Sequence, residues 1–140
     1  MLLGLAPYYV LRGTRESEGL KGWSERLGLF PPAVNPQRMT GIWIQAVSVG
    51  EVMLARDLMA GIRGRAPDAR LYLSTTTPAG RGLARRVTQP EALVYFPLDL
   101  KPAVRRTLDR LQPALFIALE TEIWPNLLRA WRAGASPRWW

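Results

Sequence analysis

The sequence predicts one α/β domain, a parallel sheet with helices on both faces, on three observations. From Gly41 onward, short apolar runs alternate with stretches of helical periodicity. At 140 residues the chain can bury one sizeable core and no more. The polar residues able to do chemistry cluster just after each apolar run, where ligands of open α/β sheets bind.

Taken in order, Ile42 to Val47 is a β-rich apolar run and the first strand. Leu54, Ala55, Leu58, Met59 and Ile62 then recur at helical spacing. Pro67-Asp68 makes a turn, and Leu71 to Leu73 reads as the second strand. Thr77-Pro78 starts a helix, with Thr77 as cap and Pro78 in the first turn, and Leu83, Ala84 and Val87 facing the core. Leu93 to Phe96 is a third strand. Pro102 to Leu111 is a helix with Arg105, Arg106 and Arg110 on its wet side. Ala114 to Leu119, wholly apolar, has the composition of a buried parallel strand. The last helix begins near Trp124-Pro125 and carries Leu127, Leu128 and Trp131. Four such units predict a parallel sheet, and right-handed crossovers would make it Rossmann-like. Residues 12–40, rich in Gly, Arg, Pro and Glu, read as an arm packed on the sheet, with one short helix around Trp23 to Leu29.

Composition removes whole classes of chemistry. With no Cys there are no disulfides, thiolate nucleophiles or cysteine zinc sites. With no His there is no Ser-His-Asp triad and no histidine acid–base pair, which leaves a carboxylate as the expected proton carrier. The net charge of +8 suits an anionic partner: lipid, phosphorylated sugar or nucleic acid. The basic helix faces lack the interleaved aromatics of a single-strand binder, so nucleic acid ranks last. Residues 1–21 hold a short apolar segment, Met1 to Leu11, and a basic arm. A membrane-crossing helix needs roughly 20 apolar residues. The segment is therefore read as an interfacial or remnant anchor, or as an ordinary buried terminus.

The strand ends define a candidate rim. After the first strand come Ser48, Gly50 and Glu51. Gly50 would allow a tight turn and close approach of a ligand, and Glu51 in the first helical turn could take a proton from a sugar hydroxyl. Glu51 equally suits plain helix capping with Ser48. After the second strand, Thr75, Thr76 and Thr77 offer hydroxyls and backbone N–H groups to an anion, without the Lys of a P-loop. Asp99 follows the third strand. After the fourth come Glu120 and Glu122, then Asn126, suited to hydroxyl recognition or charge stabilisation, or to capping the next helix.

Five motifs occur in order: Gly22 to Gly28 (GWSERLG), Ile42 to Glu51 (IWIQAVSVGE), Leu73 to Gly80 (LSTTTPAG), Tyr95 to Asp99 (YFPLD) and Glu120 to Asn126 (ETEIWPN). Together they closely resemble the N-terminal domain of bacterial 3-deoxy-D-manno-octulosonic acid (Kdo) transferases. The resemblance implies the acceptor half of a two-domain GT-B glycosyltransferase, spanning residues 22–134. It implies inverting transfer of Kdo from CMP-Kdo to a lipid A precursor at the cytoplasmic face of the inner membrane, with no bound metal or other cofactor. It makes Glu51 the general base and gives Glu120 charge stabilisation, with Ser48, Gly50, Thr75, Thr76, Thr77, Glu122 and Asn126 as substrate contacts. Position 45, commonly His in the family, is Gln45 here. Residues 135–140 read as an aberrant tail and the donor domain as absent, so the chain alone is expected to be inactive unless a separate chain supplies that domain. The alternative is a stand-alone module that holds anionic lipid at the membrane surface.

Overall fold

The structure, a computed structural model, describes residues 19–119 and 124–135. Helix α1 (Gly19–Arg26) leads through an irregular arm into β1 (Gly41–Ala46), α2 (Val49–Arg65), β2 (Leu71–Thr75), α3 (Pro78–Val87), β3 (Ala92–Tyr95), α4 (Lys101–Leu111), β4 (Pro113–Ala118) and α5 (Pro125–Ala130). A π-helical turn, Trp131–Ala135, follows. The four strands form one all-parallel sheet in the order β3-β2-β1-β4, the expected α/β Rossmann-like arrangement.

Strand alternation sends successive side chains to opposite faces and builds two cores. On one face Ile44, Ala46, Leu71 and Leu73 meet Val52, Ala55 and Met59 of α2 and Ala84 of α3. On the other, Trp43, Tyr72, Val94 and Phe96 meet Val104, Leu108 and Leu111 of α4 and Leu127 of α5. The second core is aromatic: Trp43 lies 4.6 Å from Phe116, and Phe96 lies 4.5 Å from Trp124, between ring centroids. Trp124 of the ETEIWPN motif is thus a core anchor, 5% exposed.

The local signals explain most boundaries. Thr77 caps α3 by accepting the Gly80 N–H at 3.0 Å, with Pro78 in the first turn, as expected. Helix α1 starts and ends earlier than expected. Gly28 adopts φ +79° and its N–H bonds the Glu25 carbonyl at 2.8 Å, closing the helix in a left-handed turn. A Cβ at residue 28 would lie 2.6 Å from the Arg106 Cβ and 2.7 Å from the Ala103 carbonyl, so only glycine fits.

Two expectations are corrected and a third is extended. The buried stripe of α2 runs through Val52, Ala55 and Met59, and Leu54 falls off it and is 60% exposed. Arg105 and Arg106 are exposed as expected, but Arg106 and the half-buried Arg110 also donate to the carbonyls of Leu27, Pro31 and Val34 and clamp the arm onto α4. Strand β4 is apolar yet lies at a sheet edge, with Leu115 exposed; composition cannot distinguish a central strand from an edge that another chain segment could cover.

The arm from Leu27 to Thr40 is held by Asn35, which is buried in a left-handed conformation. Its Nδ2 donates to the carbonyls of Met39 and Arg110 at 3.0 and 2.8 Å, and its Oδ1 accepts the Met39 N–H. Asparagine tolerates this region better than most residues.

Candidate functional site

The loops after β1 and β2 are laced together at the carboxyl end of the sheet. The Val47 carbonyl accepts the Thr76 N–H at 3.4 Å. Gly80 packs on the Ser48 backbone, where an added Cβ would meet Ser48 carbon atoms at 3.5 and 3.6 Å. Ser48, Glu51, Thr76 and Thr77 therefore share one rim, as expected.

Ser48 and Glu51 form a capping box: Glu51 Oε2 accepts the Ser48 N–H at 3.2 Å and the Ser48 hydroxyl. The capping role weighed from sequence is realised. It also fixes the carboxylate at the rim, and a carboxylate carries about four acceptor positions. Gly50 differs from expectation. Its φ is not left-handed, so the turn does not require glycine, and an added Cβ would meet nothing within 4 Å. What Gly50 leaves is open space beside Glu51.

The three threonines have separate fates. Thr75 is wholly buried at the end of β2, and its hydroxyl has no hydrogen-bond partner. Thr76 is partly exposed; its Oγ1 accepts Gln45 Nε2 at 2.9 Å, and its carbonyl accepts Arg26 Nη2 at 2.7 Å. Thr77 is the α3 cap. Asn126 sits apart from these, tied to the loop after β3. Its Nδ2 donates to the Asp99 carbonyl at 2.6 Å, while the Asp99 carboxylate accepts the N–H groups of Asn126 and Leu127 at 3.2 and 3.1 Å. Glu120 and Glu122 lie outside the described residues, as does the Met1 to Leu11 segment.

Behind the rim lies an ionic cluster that sequence reasoning missed. Glu25, Arg26 and Arg81 are 3%, 4% and 9% exposed. Arg81 donates both terminal nitrogens to Glu25, the Nη2–Oε1 distance being 3.1 Å. Glu25 Oε2 also accepts the Tyr95 N–H at 3.0 Å, occupying a donor of edge strand β3. The guanidinium carbons of Arg26 and Arg81 lie 4.1 and 4.5 Å from the Tyr95 ring centroid. Burial lowers the pKa of Arg26, opposed by Tyr95 and Glu25 and reinforced by Arg81. The three charges sum to one net positive charge directly behind Thr76. The only local signal was the charged pair Glu25-Arg26 after Ser24, followed by Leu27 and Gly28.

A second missed feature is a buried polar chain through the aromatic core. Trp43 Nε1 donates to Ser74 Oγ at 2.8 Å, Ser74 Oγ donates to Gln45 Oε1, and Gln45 Nε2 donates to Thr76 Oγ1. Its signal was a Gln inside an otherwise apolar strand.

An open parallel sheet whose polar side chains collect beyond the strand carboxyl ends defines a Rossmann-like α/β domain, the class whose ligands bind at that end. Residues 21–138 match the family described as 3-deoxy-D-manno-octulosonic-acid transferase (kdotransferase), through its N-terminal glycosyltransferase domain, and the chain belongs to that family. It is 36% identical over 106 residues to a 3-deoxy-D-manno-octulosonic acid transferase of Haemophilus influenzae, covering 75% of this chain and 25% of that protein. It is 34% identical over 120 residues to a probable mitochondrial 3-deoxy-D-manno-octulosonic acid transferase of Arabidopsis thaliana, covering 85% and 26%. It is 37% identical over 112 residues to the transferase of Rickettsia conorii, covering 79% and 23%. The chain spans about a quarter of the length of these relatives. No helix among the described residues is long and apolar enough to cross a membrane.

Proposed function

We propose that this chain is the acceptor-side domain of a Kdo transferase, acting in lipopolysaccharide synthesis by moving Kdo from CMP-Kdo to a lipid A precursor. The observation that carries the reading is Glu51, a carboxylate anchored by Ser48 at the rim with open space beside Gly50. Glu51 takes the proton of the attacking sugar hydroxyl, that oxygen forms the new bond to the anomeric carbon of Kdo, and CMP leaves with the electrons of the bond it breaks. Attack from the face opposite CMP inverts the centre. In this reading the acceptor sugar lies over Ser48, Gly50, Thr76 and Thr77. The family resemblance gives Glu120 charge stabilisation and Glu122 and Asn126 substrate contacts, and no metal or other cofactor takes part in this reading.

In this reading CMP-Kdo is held by the C-terminal domain of a GT-B pair, so transfer by residues 1–140 requires that domain to be supplied. The net charge of +8 supports peripheral attachment to the anionic cytoplasmic face of the inner membrane. The test is Kdo transfer to lipid IVA by the purified chain alone and mixed with a C-terminal domain of a family member. Activity only in the mixture, lost in Glu51→Gln, is expected; Gln keeps an acceptor for the Ser48 N–H but cannot take the proton. Transfer that survives Glu51→Gln would remove the assigned base.

A further inference from the structure

We infer that Thr76 is a hydroxyl donor to an anionic oxygen of the sugar ligand, and that Gln45 is the positioning residue that fixes this polarity. The inference rests on the proposed function only for the ligand being a sugar.

The polarity follows from the buried chain. An indole N–H can only donate, so Ser74 Oγ accepts from Trp43 at 2.8 Å. The Ser74 hydroxyl hydrogen then needs an acceptor, because an unpaired buried O–H is costly, and Gln45 Oε1 is the one in place. That sets the amide orientation: Nε2 faces Thr76, and Thr76 Oγ1 accepts at 2.9 Å. Gln45, Ser74 and Trp43 are all fully buried or nearly so, so water does not supply an alternative partner. With an acceptor position of Thr76 taken from within, its own O–H is directed away from the chain. Among the described residues it donates to none. Thr76 therefore presents a donor, and what it meets must be an acceptor.

The acceptor's charge follows from what lies behind residue 76. Arg26 donates to the Thr76 carbonyl at 2.7 Å and has no carboxylate of its own among the described residues, since Glu25 is engaged by Arg81. The cluster carries one net positive charge in a region of low dielectric, where it acts over a longer range than at the surface. A hydroxyl donor in front of a buried guanidinium favours an oxyanion over a neutral sugar oxygen. Phosphate and carboxylate share that chemistry.

Titration of the 15N-labelled chain with glucosamine 1-phosphate, free Kdo and plain glucosamine, followed at the Thr76 and Thr77 amides, tests this. One or both anionic sugars are expected to shift these amides and glucosamine is not; which anion binds separates a phosphate source from a carboxylate source. Thr76→Ser keeps the affinity, and Thr76→Val loses about tenfold or more. Gln45→Glu offers only acceptors when ionised, so Thr76 turns its hydrogen inward and affinity falls to the Thr76→Val level. When protonated, the acid again donates to Thr76, so acidification restores affinity relative to wild type at the same pH. A purely structural Gln45 would show no such recovery. Binding in Thr76→Val as tight as in wild type, or no shift with either anionic sugar, overturns the inference, and the Thr76 variants decide it even where Gln45→Glu does not fold. Because the readout needs no transfer, failed catalysis with intact anion binding would count against Glu51 and the proposed function alone.

Discussion

Glu25→Ala should be among the most destabilising single changes in the chain, although its hydrogen-bonded partners Arg81 and Tyr95 lie 56 and 70 residues away. The side chain is 3% exposed and neutralises Arg81, whose Nε already lacks a partner. Removing one member of a buried ion pair costs about 3–5 kcal/mol, because the other charge stays desolvated. The Tyr95 N–H loses its acceptor as well, an orphan worth about 1–3 kcal/mol. These overlap, so we expect a total near 5 kcal/mol, against about 5–15 kcal/mol for a whole domain. With a urea m-value of about 2 kcal/mol/M, the unfolding midpoint should fall by roughly 2 M or more. Urea unfolding followed by tryptophan fluorescence measures it. Glu25→Gln, which keeps an acceptor for Tyr95, should lose less. Glu25→Leu combined with Arg81→Met, which removes both charges, should recover most of the loss and leave about the Tyr95 contribution. A Glu25→Ala loss below about 1 kcal/mol at unchanged m, or a double variant no better than Glu25→Ala, would refute the claim that an uncompensated charge is what the network prevents.

Two further changes separate backbone from site. Gly28→Ala forces a side chain into φ +79° and against Arg106 and Ala103, and should cost about 2–4 kcal/mol in the same unfolding assay; a loss under about 0.5 kcal/mol would show the turn relaxes. Gly50→Ala and Gly61→Ala both meet open space in α2 and should each stabilise by about 0.5–1 kcal/mol. Only Gly50→Ala should lower Kdo transfer in the two-domain assay, and equal activity in the two variants would place the ligand elsewhere.

Much of the fold was legible because it rests on local patterns. The four strands appear as apolar runs, and Thr77-Pro78 marks a helix start by chemistry confined to a few residues. The edge position of β4 was not legible, since PALFIA would read the same in the middle of a sheet. The placement of the candidate rim was legible in part. Ser48, Glu51, Thr76 and Thr77 stand at strand ends, where topology brings them together. The pairing of Glu25 with Arg81 spans 56 residues, and a charged residue carries no local mark of its burial. Thr75 shows the converse: Thr76 and Thr77 after it reach the rim, but its own hydroxyl is turned into the interior, where it has no partner.

The parallel sheet also sets an order of events during synthesis. Strand β1, at the centre, is made first, yet its two partners arrive far apart: Ile42 pairs with Leu71, 29 residues on, and with Leu115, 73 residues on. At roughly 5–20 residues per second on the ribosome, one side of β1 waits about 4–15 s for β4. During that interval Trp43 has Tyr72, and later Phe96, but not Phe116, and the aromatic core closes only once β4 and then Trp124 have emerged. Until then one edge of the central strand keeps its N–H and C=O groups unpaired, the kind of edge that invites pairing with another chain.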